Sequence, residues 1–123
     1  MTHASEEFKV EIKELKKTLS PKFEIIQQDE PALDTPRKMF EFDTNSIKGC
    51  DLLLAECSLP SIGLGFEIAT ALQHNKPVLA IMNQAAKVSK FILGISDHRF
   101  SLVSYNSINE IPDAIEKKLE GII

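Results

Sequence analysis

Phe8, Ile12, Leu15 and Leu19 are spaced by four, three and four, the stripe of one helical face. Glu6, Glu7, Lys9, Glu11, Lys13, Glu14, Lys16 and Lys17 fill the gaps, acidic residues leading and basic ones following. That order suits the helix dipole and reads as a solvated face. Ser20-Pro21 ends the helix. Phe23-Glu24-Ile25-Ile26 then predicts a short strand, and the polar stretch Gln28 to Pro36 a loop. Arg37 to Lys48 carries Met39, Phe40 and Ile47 and reads as a helix closed by Gly49. Asp51 to Glu56 is apolar between two carboxylates, the pattern of a strand covered on both faces. Cys57 to Gly65 reads as a loop and Phe66 to His74 as a helix stopped by Asn75-Lys76-Pro77. A second buried strand spans Val78 to Met82, and a helix spans Val88 to Ile95. Phe100 to Ser104 alternates as a strand. Ile108, Ile111, Ile115, Leu119 and Ile122 mark a last amphipathic helix with Pro112 in its first turn.

Helix and strand alternate from end to end. The fold class expected is therefore α/β, a parallel sheet with helices on both faces, in one domain over residues 1–123. Ligands of such sheets bind at the carboxyl ends of the strands. The loops after Ile26, Glu56 and Met82 are thus the places to seek chemistry.

Composition narrows the partners. Fourteen Lys and Arg stand against 18 Asp and Glu, a formal net charge of -4, which disfavours nucleic acid or an anionic membrane as the main partner. No apolar run approaches the roughly 20 residues of a membrane span, and Met1 to Glu7 has no secretory pattern. Cys50 and Cys57 are too few for a disulfide framework, so reduced thiols and a cytoplasmic setting are expected. His3, His74 and His98 do not cluster at metal-ligand spacings; no metal and no cofactor is expected.

The segment Glu56-Cys-Ser-Leu-Pro-Ser61-Ile-Gly63-Leu-Gly65-Phe-Glu67 follows a buried strand and opens a helix. Gly63 and Gly65 allow close backbone approach, and helix N–H groups with the Ser61 hydroxyl make an anion site. Glu67 is placed in the first helical turn. Each feature has a plainer reading: Glu67 complements the dipole, the glycines shape a loop, Ser61 caps the helix. As a dinucleotide fingerprint the run is weak, because the glycines come late and a third is missing. Glu56 either lines the site or is a hydrogen-bonded structural carboxylate, and Cys57 reads as a small buried thiol without a histidine to activate it.

The run from Asp51 to Ala71 resembles the nucleoside 2-deoxyribosyltransferase superfamily, closest to its 2'-deoxynucleoside 5'-monophosphate N-hydrolases. The pattern Ala-Glu-x-x-x-Pro-Ser-x-Gly-x-Gly-x-Glu is matched from Ala55 to Glu67. Asp43 lies 24 residues before Glu67, the family's spacing, and Val88 to Gly94 is similar to the family's serine-containing helix. The resemblance covers roughly Phe8 to Val103.

It implies a flavodoxin-like sheet and a retaining N-glycosidase acting on a nucleotide or nucleoside. Glu67 would form a covalent ester with C1' of the sugar, and Asp43 would assist proton transfer to the leaving base. Transferases of free nucleosides place an Asp where Ser61 stands. Ser61, Gly63 and Gly65 therefore point to a 5'-monophosphate, since an Asp would repel one. Ser89 matches a serine that reaches the neighbouring subunit's phosphate site, which implies a homodimer. Base exchange between nucleosides and nucleotide binding without turnover stay open as alternatives. The family's first strand has no counterpart in Met1 to Ala4. A start downstream of the native one, closure of strand Phe23–Ile26 directly onto the Asp51 strand, and loss of activity are the three explanations. Gln27, Gln28 and Asp29 are candidates for base recognition by position alone.

Overall fold

The computed structural model describes residues 6–26 and 34–123, with side chains from residue 9 onward. The calls on Met1 to Ala4 and on Gln27, Gln28 and Asp29 lie outside the described residues.

Among the described residues five α-helices and three strands follow one another: α1 (Glu6–Leu19), α2 (Pro36–Gly49), β1 (Leu53–Glu56), α3 (Ile62–Gln73), β2 (Val78–Asn83), α4 (Lys90–Leu93), β3 (Phe100–Tyr105) and α5 (Ile111–Leu119). The strands form one parallel sheet in the order β1-β2-β3. Leu53 pairs with Val78 and Val78 with Phe100, so the three amino ends stand level, while β1 ends at Glu56 opposite Ile81, two residues short of the ends of β2 and β3.

The two-residue period of the strands divides the interior into two layers. Leu15 and Leu19 of α1 and Ile111 and Ile115 of α5 bury against Leu79, Ile81 and Tyr105, with Leu52, Leu54 and Val103 beside them. On the other face Ile47 of α2 and Ile68 and Ala71 of α3 bury against Ala55, Cys57, Val78 and Ala80, with Val88 and Ile92 at the rim. Helices thus cover both faces, and the α/β, flavodoxin-like core is as expected.

The segment Phe23–Ile26 departs from expectation. It joins no ladder, so closure onto β1 does not occur. Phe23 and Ile25 still pack on the α1/α5 layer while Glu24 and Ile26 face solvent. The alternation reported a half-buried extended segment, which is what β-propensity measures; pairing needs a neighbouring strand edge as well.

Several helix boundaries also move. α3 starts at Ile62, because Ser61 Oγ accepts the Leu64 N–H at 3.2 Å and caps it there. Gly63 and Gly65 are therefore helical, not loop, residues, and Glu67 lies in the second turn. Gly49 is the last residue of α2, with Cys50 as its cap. The predicted helix Val88–Ile95 contracts to the four residues of α4, capped by Ser89, and a 3-10 turn (Ile108–Glu110) precedes α5. The end of α3 is as read. Asn75 takes φ 58°, and the Lys76 and Asn75 N–H groups bond the Ala71 and Leu72 carbonyls at 2.9 and 3.1 Å.

Candidate active site

α3 carries the motif residues because β1 delivers the chain to its start. Cys57 N–H bonds the Ile81 carbonyl at 2.8 Å, which keeps the backbone in the sheet for one residue beyond β1. Four residues later Ser61 caps α3. The cap satisfies the Leu64 N–H, and the Ser61 carbonyl accepts from Gly65 at 3.3 Å. A Cβ built on Gly65 would meet nothing within 4 Å, and one on Gly63 only the Ser61 hydroxyl at 3.8 Å. The protein leaves open the space that side chains there would occupy.

Asp43 and Glu67 come together. Asp43 lies on α2 and Glu67 on α3, two helices packed side by side. Their carboxyls come near enough across that seam to act on each other. Burial first, then the nearby Asp43 carboxyl and its charge, push Glu67 up to about 8. Two carboxyls this close cannot both be ionised cheaply, so the pair holds one proton near neutral pH. Sitting in the second turn, Glu67 loses the plain reading as a dipole-complementing first-turn residue. Near these residues in sequence, Phe40 of α2 and Phe66 of α3 meet as a tilted pair, ring centroids 5.7 Å apart and planes at 52°, each about half exposed.

Ser61 and Ser89 also come together, on another side of α3. They line one open cleft of ≈ 350 Å³ with Gly65, Pro60, Val88 and Phe91. Ser89 Oγ accepts the Phe91 N–H at 3.3 Å as the cap of α4. Neither Asp43 nor Glu67 lines this cleft. The predicted residues thus fall into two groups: a carboxyl pair on the α2 side of α3 and a serine pair at its start. Ser89 stands by the serine of its own chain.

Two further residues belong to this end of the sheet: Glu56, for which the sequence left both readings open, and Tyr105, which it did not single out. Glu56 accepts a hydrogen bond from Tyr105 through Oε2 and from the Ser58 N–H through Oε1, the latter at 2.6 Å. It is thereby a hydrogen-bonded carboxylate. Its place at the last core-facing position of β1 was the available signal. Tyr105, the last residue of β3, gave none. Cys57 is buried, and burial pushes its thiol up to about 11. No group of three or more His, Cys, Asp or Glu suited to a metal occurs among the described residues. No helix among them is long and apolar enough to cross a membrane.

No protein-family model matches the chain. Individual proteins do. The chain is 41% identical over 91 residues to a protein of Thermofilum pendens named as 2'-deoxynucleoside 5'-phosphate N-hydrolase 1; the match covers 72% of this chain and 64% of that protein. It is 29% identical over 101 residues to the human 5-hydroxymethyl-dUMP N-hydrolase, covering 80% of this chain and 58% of that one. The chain therefore spans about three fifths of the length of these relatives. Among solved structures, a CMP N-glycosidase of Clostridium botulinum superposes with a TM-score of 0.69 at 25% identity, covering 90% of each chain. The sheet, the motif run on α3 and these relatives agree, and on them the chain belongs to the nucleoside 2-deoxyribosyltransferase-like family.

Proposed function

We propose that the chain, as a single domain, hydrolyses the N-glycosidic bond of a (deoxy)nucleoside 5'-monophosphate, releasing free base and sugar phosphate. The Asp43–Glu67 carboxyl pair is the observation that carries the reading. The names of the relatives, N-hydrolases and an N-glycosidase of nucleotides, support the substrate class.

The pair suits the chemistry because it brings one proton and one negative charge to the same place. When substrate arrives, the shared proton passes from Glu67 to Asp43. The bond from C1' to the base nitrogen breaks with its electrons going to the base, and Asp43 delivers the proton that the base then keeps. The Glu67 oxygen captures the oxocarbenium-like C1' as an ester. Water then attacks C1', the ester opens, and the proton of the water returns to the pair. The Ser61 hydroxyl and the N–H groups at the start of α3 receive the 5'-phosphate, and the bare backbone at Gly63 and Gly65 gives it room.

A homodimer in which Ser89 reaches the neighbour's site belongs to the same proposal. Ile62 and Phe91 beside that serine, 91% and 83% exposed, support a covering partner. A cytoplasmic setting is also part of the proposal, and the two free thiols support it.

Product analysis tests the reaction. The protein is incubated with CMP, dCMP, dGMP and 5-hydroxymethyl-dUMP, and free base is measured with and without a second base in excess. Free base from a monophosphate, and no new nucleotide, is the expected result. A new nucleotide would make the protein a transferase. No base released from any monophosphate would overturn the enzymatic reading.

A further inference from the structure

The proposed chemistry leaves one polar cluster unused. Leu52, just before β1, and Leu54 and Glu56 within it share the α1/α5 side by the two-residue period, and both leucines pack into that layer. Glu56 takes the next place in an apolar row. A carboxylate there is costly unless it is hydrogen-bonded. Both oxygens are: Oε2 by the Tyr105 hydroxyl, Oε1 by the Ser58 N–H at 2.6 Å. Ser58 Oγ accepts in turn from the Asn83 N–H at 2.8 Å, and the Tyr105 carbonyl accepts from the Gln84 N–H at 3.1 Å. Glu56, Asn83 and Tyr105 are the last residues of β1, β2 and β3. The network therefore crosses all three carboxyl ends and grips the loops that leave two of them. Burial, and then the bond to Glu56, hold the Tyr105 phenol well above its ordinary range, so it stays a donor.

What the network holds is the path to α3. Ser58 is fixed through both its N–H and its hydroxyl, and only Leu59 and Pro60 separate it from the cap Ser61. Pro60 limits that short link further by its fixed φ. A leucine at position 56 would bury as well, but it could not hold the Ser58 N–H. The carboxylate adds direction where packing alone adds only contact.

We propose that Glu56 and Tyr105 are positioning residues that, through Ser58, fix the β1–α3 loop and so place Ser61 and the start of α3 against the sheet. The catalytic consequence rests on the hydrolase reading; the fixing of the loop does not.

Amide hydrogen exchange tests the loop directly in the wild-type chain and in Tyr105→Phe, Glu56→Ala and Glu56→Gln. Glutamine can still accept the Ser58 N–H and offer its amide hydrogens to the Tyr105 oxygen, so it is the conservative rescue. In Tyr105→Phe and Glu56→Ala, exchange over residues 57–65 is expected to rise about ten-fold, on the scale of one hydrogen bond to a charged acceptor. Residues 78–83 of β2 keep wild-type protection, and Glu56→Gln stays near wild type. With a nucleoside monophosphate as substrate, the two disruptive variants raise KM several-fold, whereas the corresponding nucleoside without its phosphate is turned over as by wild type. Unchanged exchange over 57–65, or an equal rise throughout the chain, would overturn the inference. If the wild-type chain releases no base, the hydrolase reading falls and the exchange pattern still decides the role of the network.

Discussion

Asp97 and Glu67 stand at opposite ends of the sheet and are held in opposite ways. Asp97, before β3, takes the Arg99 guanidinium through Nε at 3.2 Å and Nη2 at 3.1 Å, and the Arg99 N–H at 2.9 Å. Arg99 reaches on to the Asn75 side chain at the end of α3. Those bonds hold the Asp97 carboxyl below its ordinary range. Glu67 has burial and another carboxylate, and is held above its range. The amino end of the sheet spends its charges on closing turns. The carboxyl end keeps a carboxyl pair poised to give and take a proton, the usual mark of a reacting site.

The largest test of that contrast is activity. Glu67→Gln can still hydrogen-bond Asp43 but removes the proposed nucleophile, so base release from a monophosphate should fall ~10³-fold or more while the circular dichroism spectrum is unchanged. Asp97→Asn should leave kcat within about two-fold, because its bonds serve the fold and not the reaction. Equal losses in the two variants would erase the difference between the two ends.

Next comes pH. Glu67 is raised, so its proton binds the folded chain more tightly than the unfolded one. The stability this adds is full below the ordinary carboxyl value of 4.5 and is lost as pH rises through about 8. Thermal melts from pH 4 to 9 should show that decline in the wild type and not in Glu67→Gln, which should melt above the wild type at pH 9. Asp97 is lowered, so its contribution is present above 3.8 and lost as pH falls through its folded value. The deficit of Asp97→Asn should therefore shrink in acid. In steady-state kinetics, kcat/KM should drop above pH about 8, where the pair has lost the proton that the leaving base needs.

Smaller effects separate holding from binding within α3. Ser61→Ala removes the cap and should cost about 1 kcal/mol in denaturant melts, together with a raised KM for the monophosphate. Gly65→Ala enters open space in a helix and should gain roughly 0.5–1 kcal/mol by helix propensity. The same methyl group fills the room proposed for phosphate, so nucleotide affinity should fall as stability rises. A variant that loses both, or neither, would place the ligand elsewhere.

Much of this arrangement was legible in the sequence, and for definite reasons. Leu15 and Leu19 named the buried face of α1, and the apolar runs at Leu53 and Val78 named strands covered twice. The pairing of Asp43 with Glu67 followed from family spacing alone; no periodicity links residues on separate helices. Phe23–Ile26 misled because alternation encodes burial and not the presence of a partner edge. Gly63 and Gly65 misled because glycine is a poor helix former, yet the Ser61 cap outweighs two such residues in a first turn. Tyr105 was invisible because its partner, Glu56, lies 49 residues away across the sheet.

The Ser61 cap has one more consequence, which is metric. A helix rises 1.5 Å per residue, so the six residues from Ser61 to Glu67 fix a separation of ~9 Å along the axis of α3. Side-chain motion changes that span little, because backbone hydrogen bonds set it. On the proposed reading the span from Ser61 to Glu67 is a gauge block: a ligand gripped at both points is selected by length, and a nucleoside without its phosphate meets only the Glu67 end.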